Sequence, residues 1–316
     1  MVHVPNSVTR RRRAVWFGLT PMTQRHLISG LLFISPWLVG VLIFTFYPIA
    51  SSFYYSLTNY DVISAPRFIG FENYVNAFTT DPIFYQAISN TLFYAVVFLP
   101  LNLVVAVSVA LLLNLQVRGL AAYRTLFFLP SIVPDIAAAM LWAWILNPQF
   151  GLINMLLKTL GLPTLGWLSD PYWSKPALIL IGLWGFGGSM VIYLAALQDI
   201  PQHLYEAAEI DGAGVSAKTW HVTLPMLTPT IFFNLVLGLI GAFQYFTTAF
   251  VVTGGSGGPA GSTTFYAMMI YNNAFRYFKM GYASALSWML FAFVFLVTWL
   301  IFKTSGRWVY YEGERA

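Results

Sequence analysis

Three carboxylates lie within six positions, Glu206, Glu209 and Asp211, in the segment EAAEIDGAGVSAKTWHVTLP at 206–225, where Lys218 is the only Lys or Arg. Such a cluster on a short exposed helix suits a partner with a basic cleft. A second group is polar or aromatic inside apolar runs. GAFQYFTTAF offers Gln244, Tyr245, Thr247 and Thr248, with Gln244 and Thr248 four apart and so expected on one helix face. LWGFGGSMVIY offers Trp184 and Ser189 beside Gly185, Gly187 and Gly188, and Asp135 is the one carboxylate within an apolar run. Polar and aromatic side chains inside a helical bundle are candidates to line a substrate pathway. The competing reading is structural. Gln and Thr bond neighbouring helices at about 1 kcal/mol each, and glycines let helices pack closely. Asn102, Asn234, Trp142 and Trp144 are weaker candidates.

Asp135 carries two readings. It lies eleven residues beyond Arg124, about 16 Å along a continuous helix, which would set it near mid-membrane and mark it as functional. Alternatively, Pro130 and Pro134 distort this helix enough to give the carboxylate backbone N–H partners and a structural role.

The elements that position these residues must be membrane helices. The chain has 316 residues, 58% hydrophobic and 9% charged, where soluble domains have about 25% charged. Cysteine is absent, which removes disulfides, thiolate metal sites and thiol nucleophiles. The histidines, His3, His26, His203 and His221, have no ligand spacing. Crossing a bilayer core takes about 20 apolar residues. Stretches without Asp, Glu, Lys or Arg place six helices near 28–50, 90–113, 125–147, 177–197, 227–252 and 282–302. TGGSGGPAGSTT at 253–264 breaks the fifth long run into a helix and an outer loop, because such backbone is disfavoured in lipid. It lacks the GK[ST] ending of a phosphate loop.

Eleven of the sixteen Lys and Arg fall on one side, among them Arg10, Arg11, Arg12, Arg13 and Arg25 before the first helix, Arg118 and Arg124, and Lys303, Arg307 and Arg315 at the end. The positive-inside rule makes that side cytoplasmic, with both termini. The resulting organisation is a basic segment at 1–27, a six-span all-α domain at 28–303 with a cytoplasmic loop at 198–226, and a tail at 304–316. Nucleic-acid binding would need a soluble basic face that this pattern lacks.

In that loop, Pro201 suits a first helical turn, and Gly212 and Gly214 suit a left-handed stop. Ser216 suits the cap of a second turn leading to Leu224-Pro225. Here the sequence resembles the permease subunits of binding-protein-dependent ABC importers. Their signature, E-A-A, three residues, G, nine residues, I-x-L-P, is matched by Glu206, Ala207, Ala208, Gly212 and VTLP ending in Leu224 and Pro225, with Val222 for Ile. The likeness covers nearly the whole chain and is closest to the carbohydrate branch, on the side of the larger maltose-type subunit. FYPIASSFYYSLTNYDVISAPRFIGFENYVNAF at 46–78 and YRTLFFLPSIVPDIAAAMLWAWILNPQFGLIN at 123–154 carry it elsewhere.

The resemblance implies a non-catalytic subunit in a bacterial or archaeal cytoplasmic membrane. It implies a second, homologous permease, two ATPase subunits that hold the ATP and Mg, and an external solute-binding protein. It also makes residues 201–225 a coupling helix docked on an ATPase, with sugar contacts near Gln244-Tyr245 and Trp184. Gly188 stands where the maltose-type protein has an aromatic sugar contact, which argues against maltose itself. A permease for glycerol phosphate or its diesters is the nearest rival, and the absence of Lys and Arg inside the six spans favours a neutral substrate. An ion-coupled secondary carrier would need intramembrane ion ligands, for which Asp135 is the one candidate. An intramembrane enzyme has almost no residues to work with.

Overall fold

The computed structural model describes residues 21–115 and 118–310. Arg10, Arg11, Arg12, Arg13 and Arg315, on which the orientation partly rests, lie outside the described residues, as do most of 1–27 and the end of the 304–316 tail. The chain divides into two units, Met1–Tyr54 and Tyr55–Ala316. The first is described over α1 (Pro21–Val41), a π-helical turn (Leu42–Phe46) and most of α2 (Tyr47–Ser56), which crosses the boundary. No residue is buried in the most apolar window of Arg25–Ser56.

The second unit opens with a minimal antiparallel ribbon, β1 (Thr58–Asn59) and β2 (Arg67–Phe68), pairing Thr58 with Phe68 and Asn59 with Arg67. This is the one departure from all-α among the described residues. After α3 (Glu72–Thr79), the Asp81 carboxylate accepts the Ile83 N–H at 2.9 Å and caps α4 (Pro82–Leu113), with Pro82 at the first helical position. That cap starts the helix eight residues before the expected 90. Its 32 residues span about 48 Å.

The expected helix at 125–147 is two helices. α5 (Leu120–Phe128), extended by a 3-10 turn (Leu129–Ile132), meets α6 (Asp135–Ile145) at 97°. Proline explains it: Val133, before Pro134, is forced extended (φ −69°, ψ 127°), and a helix cannot pass through that residue. α7 (Leu152–Thr159) follows, and then a second bent pair, α8 (Pro171–Trp184) and α9 (Gly187–Gln198), at 48°. α10 (Gln202–Ile210), α11 (Val215–Lys218) and a π turn (Thr219–Thr223) lead to α12 (Leu224–Phe243). Residues 244–246 interrupt it before α13 (Thr247–Thr253). A glycine-rich loop, α14 (Tyr266–Tyr271), a π turn (Asn272–Arg276) and α15 (Met280–Ser305) complete the described chain. By length and composition four helices can cross a membrane, and six if each bent pair is one span.

Helices in lipid gain little from burying apolar surface, so small residues at the contacts do the work. Ala106 and Ala110 of α4 are fully buried against Met190, Tyr193 and Leu197 of α9 and Leu227 of α12. A second cluster joins Tyr94 and Ala95 of α4 to Leu178 of α8, Phe243 of α12, Ala249 of α13 and Phe265. A third joins Phe84, Ala87, Tyr266 and Leu286 at the starts of α4, α14 and α15. Polar ties hold the glycine-rich loop: Asn90 Nδ2 donates to the Gly261 and Thr264 carbonyls at 2.9 and 3.0 Å, and the Ser174 and Ser262 hydroxyls share a hydrogen bond of 2.7 Å.

At the second bend, a Cβ on Gly187 would stand 2.5 Å from the Phe127 carbonyl and 2.9 Å from the Phe128 Cα, whereas one on Gly188 would meet nothing within 4 Å. Close packing thus accounts for Gly187 and not for Gly188. Gly187→Val should destabilise the purified protein by about 1–3 kcal/mol through overpacking against backbone. Gly188→Ala should stay within about 0.5 kcal/mol. Thermal unfolding in the same detergent distinguishes them.

Candidate functional site

Two places gather the residues singled out by sequence. The first is the turn between α9 and α12. Pro201 precedes α10 as its N-cap, and the helix ends in a motif built by Gly212. Gly212 has φ +81°, and its N–H donates to the Glu209 carbonyl at 3.0 Å, while the Ala213 N–H reaches back to the Ala208 carbonyl at 2.8 Å. This 6→1 and 5→2 pair is a Schellman stop, and it requires the left-handed residue that glycine supplies. It gives a physical reason for the spacing between Ala208 and Gly212. Gly214, by contrast, has φ −71° and serves as the N-cap of α11. Ser216 lies inside that helix without capping, so the expected Ser216 cap and left-handed Gly214 do not form.

The turn is closed by an ion pair from Lys218 Nζ to Glu209 Oε1 at 2.6 Å. A Tyr205–Thr223 hydroxyl contact of 3.1 Å ties α10 to the π turn that enters α12. Glu206 and Ala207 are exposed and Ala208 half-buried. Glu206 forms no ion pair among the described residues. Around them, Ile210 is 87% exposed, Val215 79% and Trp220 67%. The surface therefore combines acidic groups with exposed large apolar side chains, a combination that suits docking of a partner. Leu224 and Pro225 open α12, Leu224 packing against the cluster of Ala106 and Tyr193. Through that contact the face is joined to the helix bundle.

The second place is where helices break. Gln244 and Thr248 are not brought onto one face, because α12 ends at Phe243 and the backbone leaves helical geometry through Phe246 (φ −140°, ψ −61°). Residue spacing of four carries facial information only along an unbroken helix. Tyr245, in the break, stacks on Tyr94 with ring centroids 4.1 Å apart and meets Phe265 edge-on at 5.1 Å. Its hydroxyl is buried beside the Thr248 and Tyr94 hydroxyls without a hydrogen bond of good geometry, and Nε1 of Trp142 is buried with no hydrogen-bond partner. Trp184, the last residue of α8, meets Trp142 edge-on at 6.0 Å. Tyr245 and Trp142 pack against the same apolar cluster, so two unsatisfied polar atoms sit at its margin. Buried polar atoms without partners are uncommon and call for a reason.

Asp135 begins α6 after the 97° bend, rather than lying within a continuous helix, so the 16 Å placement does not apply. It is exposed, and its side chain has no hydrogen-bond partner among the described residues, so the capping role is not realised either. Ser189 and Asn102 are half-buried. Asn234 donates to the Thr230 carbonyl of its own helix at 3.0 Å. Sequence reasoning gave no weight to Tyr94 and Phe265, whose aromatic character alone could not show that they surround Tyr245.

With this geometry in view, the comparisons are direct. The model of the binding-protein-dependent transport system inner membrane component family matches residues 114–307. The chain belongs to that family. It is a multi-pass membrane protein of a transport system. The probable ABC transporter permease protein YesP of Bacillus subtilis (strain 168) is 42% identical over 289 residues, covering 91% of this chain and 93% of that protein. The lactose transport system permease protein LacF of Rhizobium radiobacter is 35% identical, covering 88% and 94%. Among solved structures, a chain of a bacterial ABC transporter involved in the import of the acidic polysaccharide alginate superposes with a TM-score of 0.78 at 25% identity, covering 90% and 97%.

The Schellman stop supplies a test independent of any partner. Gly212→Val forces a β-branched residue into the left-handed region, costing about 1–2 kcal/mol locally. Hydrogen exchange at the Ala213 and Gly212 amides should accelerate by roughly ten-fold, while amides in α4 keep their protection.

Proposed function

We propose that this chain is the transmembrane permease subunit of an ATP-driven, binding-protein-dependent importer for a sugar or oligosaccharide. The single observation that carries the coupling role is the exposed face of α10 and α11, acidic and apolar together, rooted in the bundle through Leu224 and the Tyr205–Thr223 contact. In this reading the face lies in the cytoplasm with both termini. It docks into a groove of one ATPase subunit, and a second permease docks a like face on the other. ATP and Mg belong to those partners. Glu206 meets a basic or hydrogen-bonding group there, Ala207 and Ala208 allow close approach, and Ile210 and Trp220 are apolar anchors. Glu209 stays committed to Lys218, keeping the turn rigid under load.

Closure of the ATPases displaces both docked helices, and the spans alternate access between the two sides. Sugar arrives from an external binding protein. Trp184 and Tyr245 at the helix breaks, and Trp142 edge-on to Trp184, contact it, the unpartnered Trp142 Nε1 and the poorly bonded Tyr245 hydroxyl finding partners in its hydroxyl groups. Gln244, Thr248, Ser189, Asp135 and Asn102 remain further pathway candidates. The named substrates of the relatives, lactose and alginate, are both saccharides, which supports the class. The rival phosphate substrate is less well served, since no Lys or Arg lies within the six expected span segments.

In the complex purified with its co-expressed partners and reconstituted, sugar-loaded binding protein should stimulate ATP hydrolysis. Glu206→Ala should cut that stimulation about ten-fold, near 1.4 kcal/mol of lost coupling, or release the ATPase subunits. Co-purification of no ATPase, with uptake driven by ion gradients alone, would remove the importer reading. For the pathway, Tyr245→Phe removes a poorly bonded hydroxyl and keeps the ring stacked on Tyr94, so thermal stability should hold within about 1 kcal/mol. The KM for sugar uptake should rise roughly three- to ten-fold, the worth of one hydrogen bond. An unchanged KM would make Tyr245 a packing residue.

A further inference from the structure

A cavity of about 610 Å³ opens at the end of the bundle where α4 and α15 begin, a size in the range of about 300–1,000 Å³ typical of small-molecule sites. It lies opposite the α10–α11 face. Phe84 and Leu286 pack together at this end, whereas Leu113 packs with Leu197 and Leu227 at the other, about 48 Å along α4.

Hydrogen bonds among the lining segments fix its walls. Asn73 Nδ2 donates to the Ser56 and Thr58 carbonyls, both at 2.9 Å, holding the β1 segment to α3. Gly281 N–H donates to the Tyr60 carbonyl at 3.0 Å, and the missing side chain of Gly281 lets α15 start against the Thr58 carbonyl. Tyr282 Oη donates to Asp81 Oδ2 at 2.8 Å, occupying that carboxylate. Asn272 Nδ2 donates to the Gly255 carbonyl at 3.2 Å, yet its Oδ1 is buried without a partner.

What remains free on the same lining is a set of polar groups. The amides of Asn59 and Asn76 and the ammonium of Lys279 have no side-chain partner among the described residues. Tyr60 and Tyr277 add aromatic surface. Amides that donate and accept, beside ring faces, match the hydroxyl-rich and C–H surfaces of a sugar, and Arg276 with Lys279 can also pair a sugar carboxylate.

We propose that this cavity is a second saccharide site, a vestibule holding one end of the substrate before it reaches the helix breaks. The proposal rests on the sugar reading above, and its test separates the two. The whole complex, in lipid nanodiscs without nucleotide, is examined by saturation-transfer difference NMR with maltotriose and trigalacturonate as probes. Saccharide signals should appear with at least one probe. They should fall about five-fold or more in Asn76→Ala/Tyr277→Ala/Lys279→Ala and persist in Trp184→Ala. Tyr277→Ala alone, at an exposed side chain, should lower the same signal and replaces the triple variant if that fails to fold.

Signals lost in Trp184→Ala and kept in the vestibule variants would overturn the second site and leave the transport reading standing. Absence of signal from the wild type with both probes would also overturn it. Sugar-stimulated ATPase activity of that same sample then decides the transport reading separately.

Discussion

Inside a bilayer the backbone must satisfy its own hydrogen bonds, and apolar contacts between helices gain nothing over contacts with lipid. Everything distinctive in this chain follows from how it meets those two constraints. Contacts are made where small residues permit close approach, as Ala106 and Ala110 do on α4 and Gly187 does against the Phe127 carbonyl. The helical ladder stops at Val133–Pro134, Gly185–Phe186 and 244–246. Non-helical backbone at membrane depth survives only when protein or a cavity covers it. The aromatic cluster around Tyr245 and the edge-on Trp142–Trp184 pair belong to that covering.

The same constraint distributes polarity along the bundle. At the Pro82 end, asparagines hold loops together: Asn73, Asn90 and Asn272 each bond carbonyls distant in sequence. At the Leu113 end the polar groups instead face outward on α10, with Glu209 and Lys218 closing the turn and Glu206 left over. One end of the molecule is thus tied inward and walls a cavity, and the other presents a compact protrusion. That asymmetry suits a chain that receives something at one end and is moved from the other.

Much of this was legible in the sequence. The apolar runs gave the helices, because membrane spans need length and apolar composition more than any particular residue. The loop at 201–225 was readable to the level of its left-handed glycine, since Gly212 is dictated by local backbone geometry. The breaks were harder. Pro134 announced one, but the sequence did not fix an angle of 97°, and Asp135 was placed along a helix that ends before it. The interruption at 244–246 has no proline or glycine, so the expected Gln244–Thr248 face had nothing to warn against it. Cavities assembled from distant segments were not legible at all: Asn59, Asn76 and Lys279 line one cavity only because β1, α3 and the start of α15 pack together, which residue spacing does not encode.

How a push on α10 reaches the helix breaks can be argued from the contacts. The π turn at Thr219–Thr223 links the docking face to α12, and Thr223 bonds both the Lys218 carbonyl at 3.3 Å and the Tyr205 hydroxyl. Leu227, in the first turn of α12, is fully buried against α4 and α9. A displaced α10 therefore cannot slide past α12; it must carry that helix start, and α9 with it, as a packed body. Both α9 and α12 have a break at their far ends, at Gly185–Phe186 and 244–246, where regular helix hydrogen bonding is already interrupted and bending costs least. On the proposed mechanism, motion delivered by the ATPase is transmitted rigidly as far as these two breaks and released there as a change of angle. Trp184 and Tyr245 stand at those points, so on the proposed mechanism the change of angle falls at the proposed pathway residues.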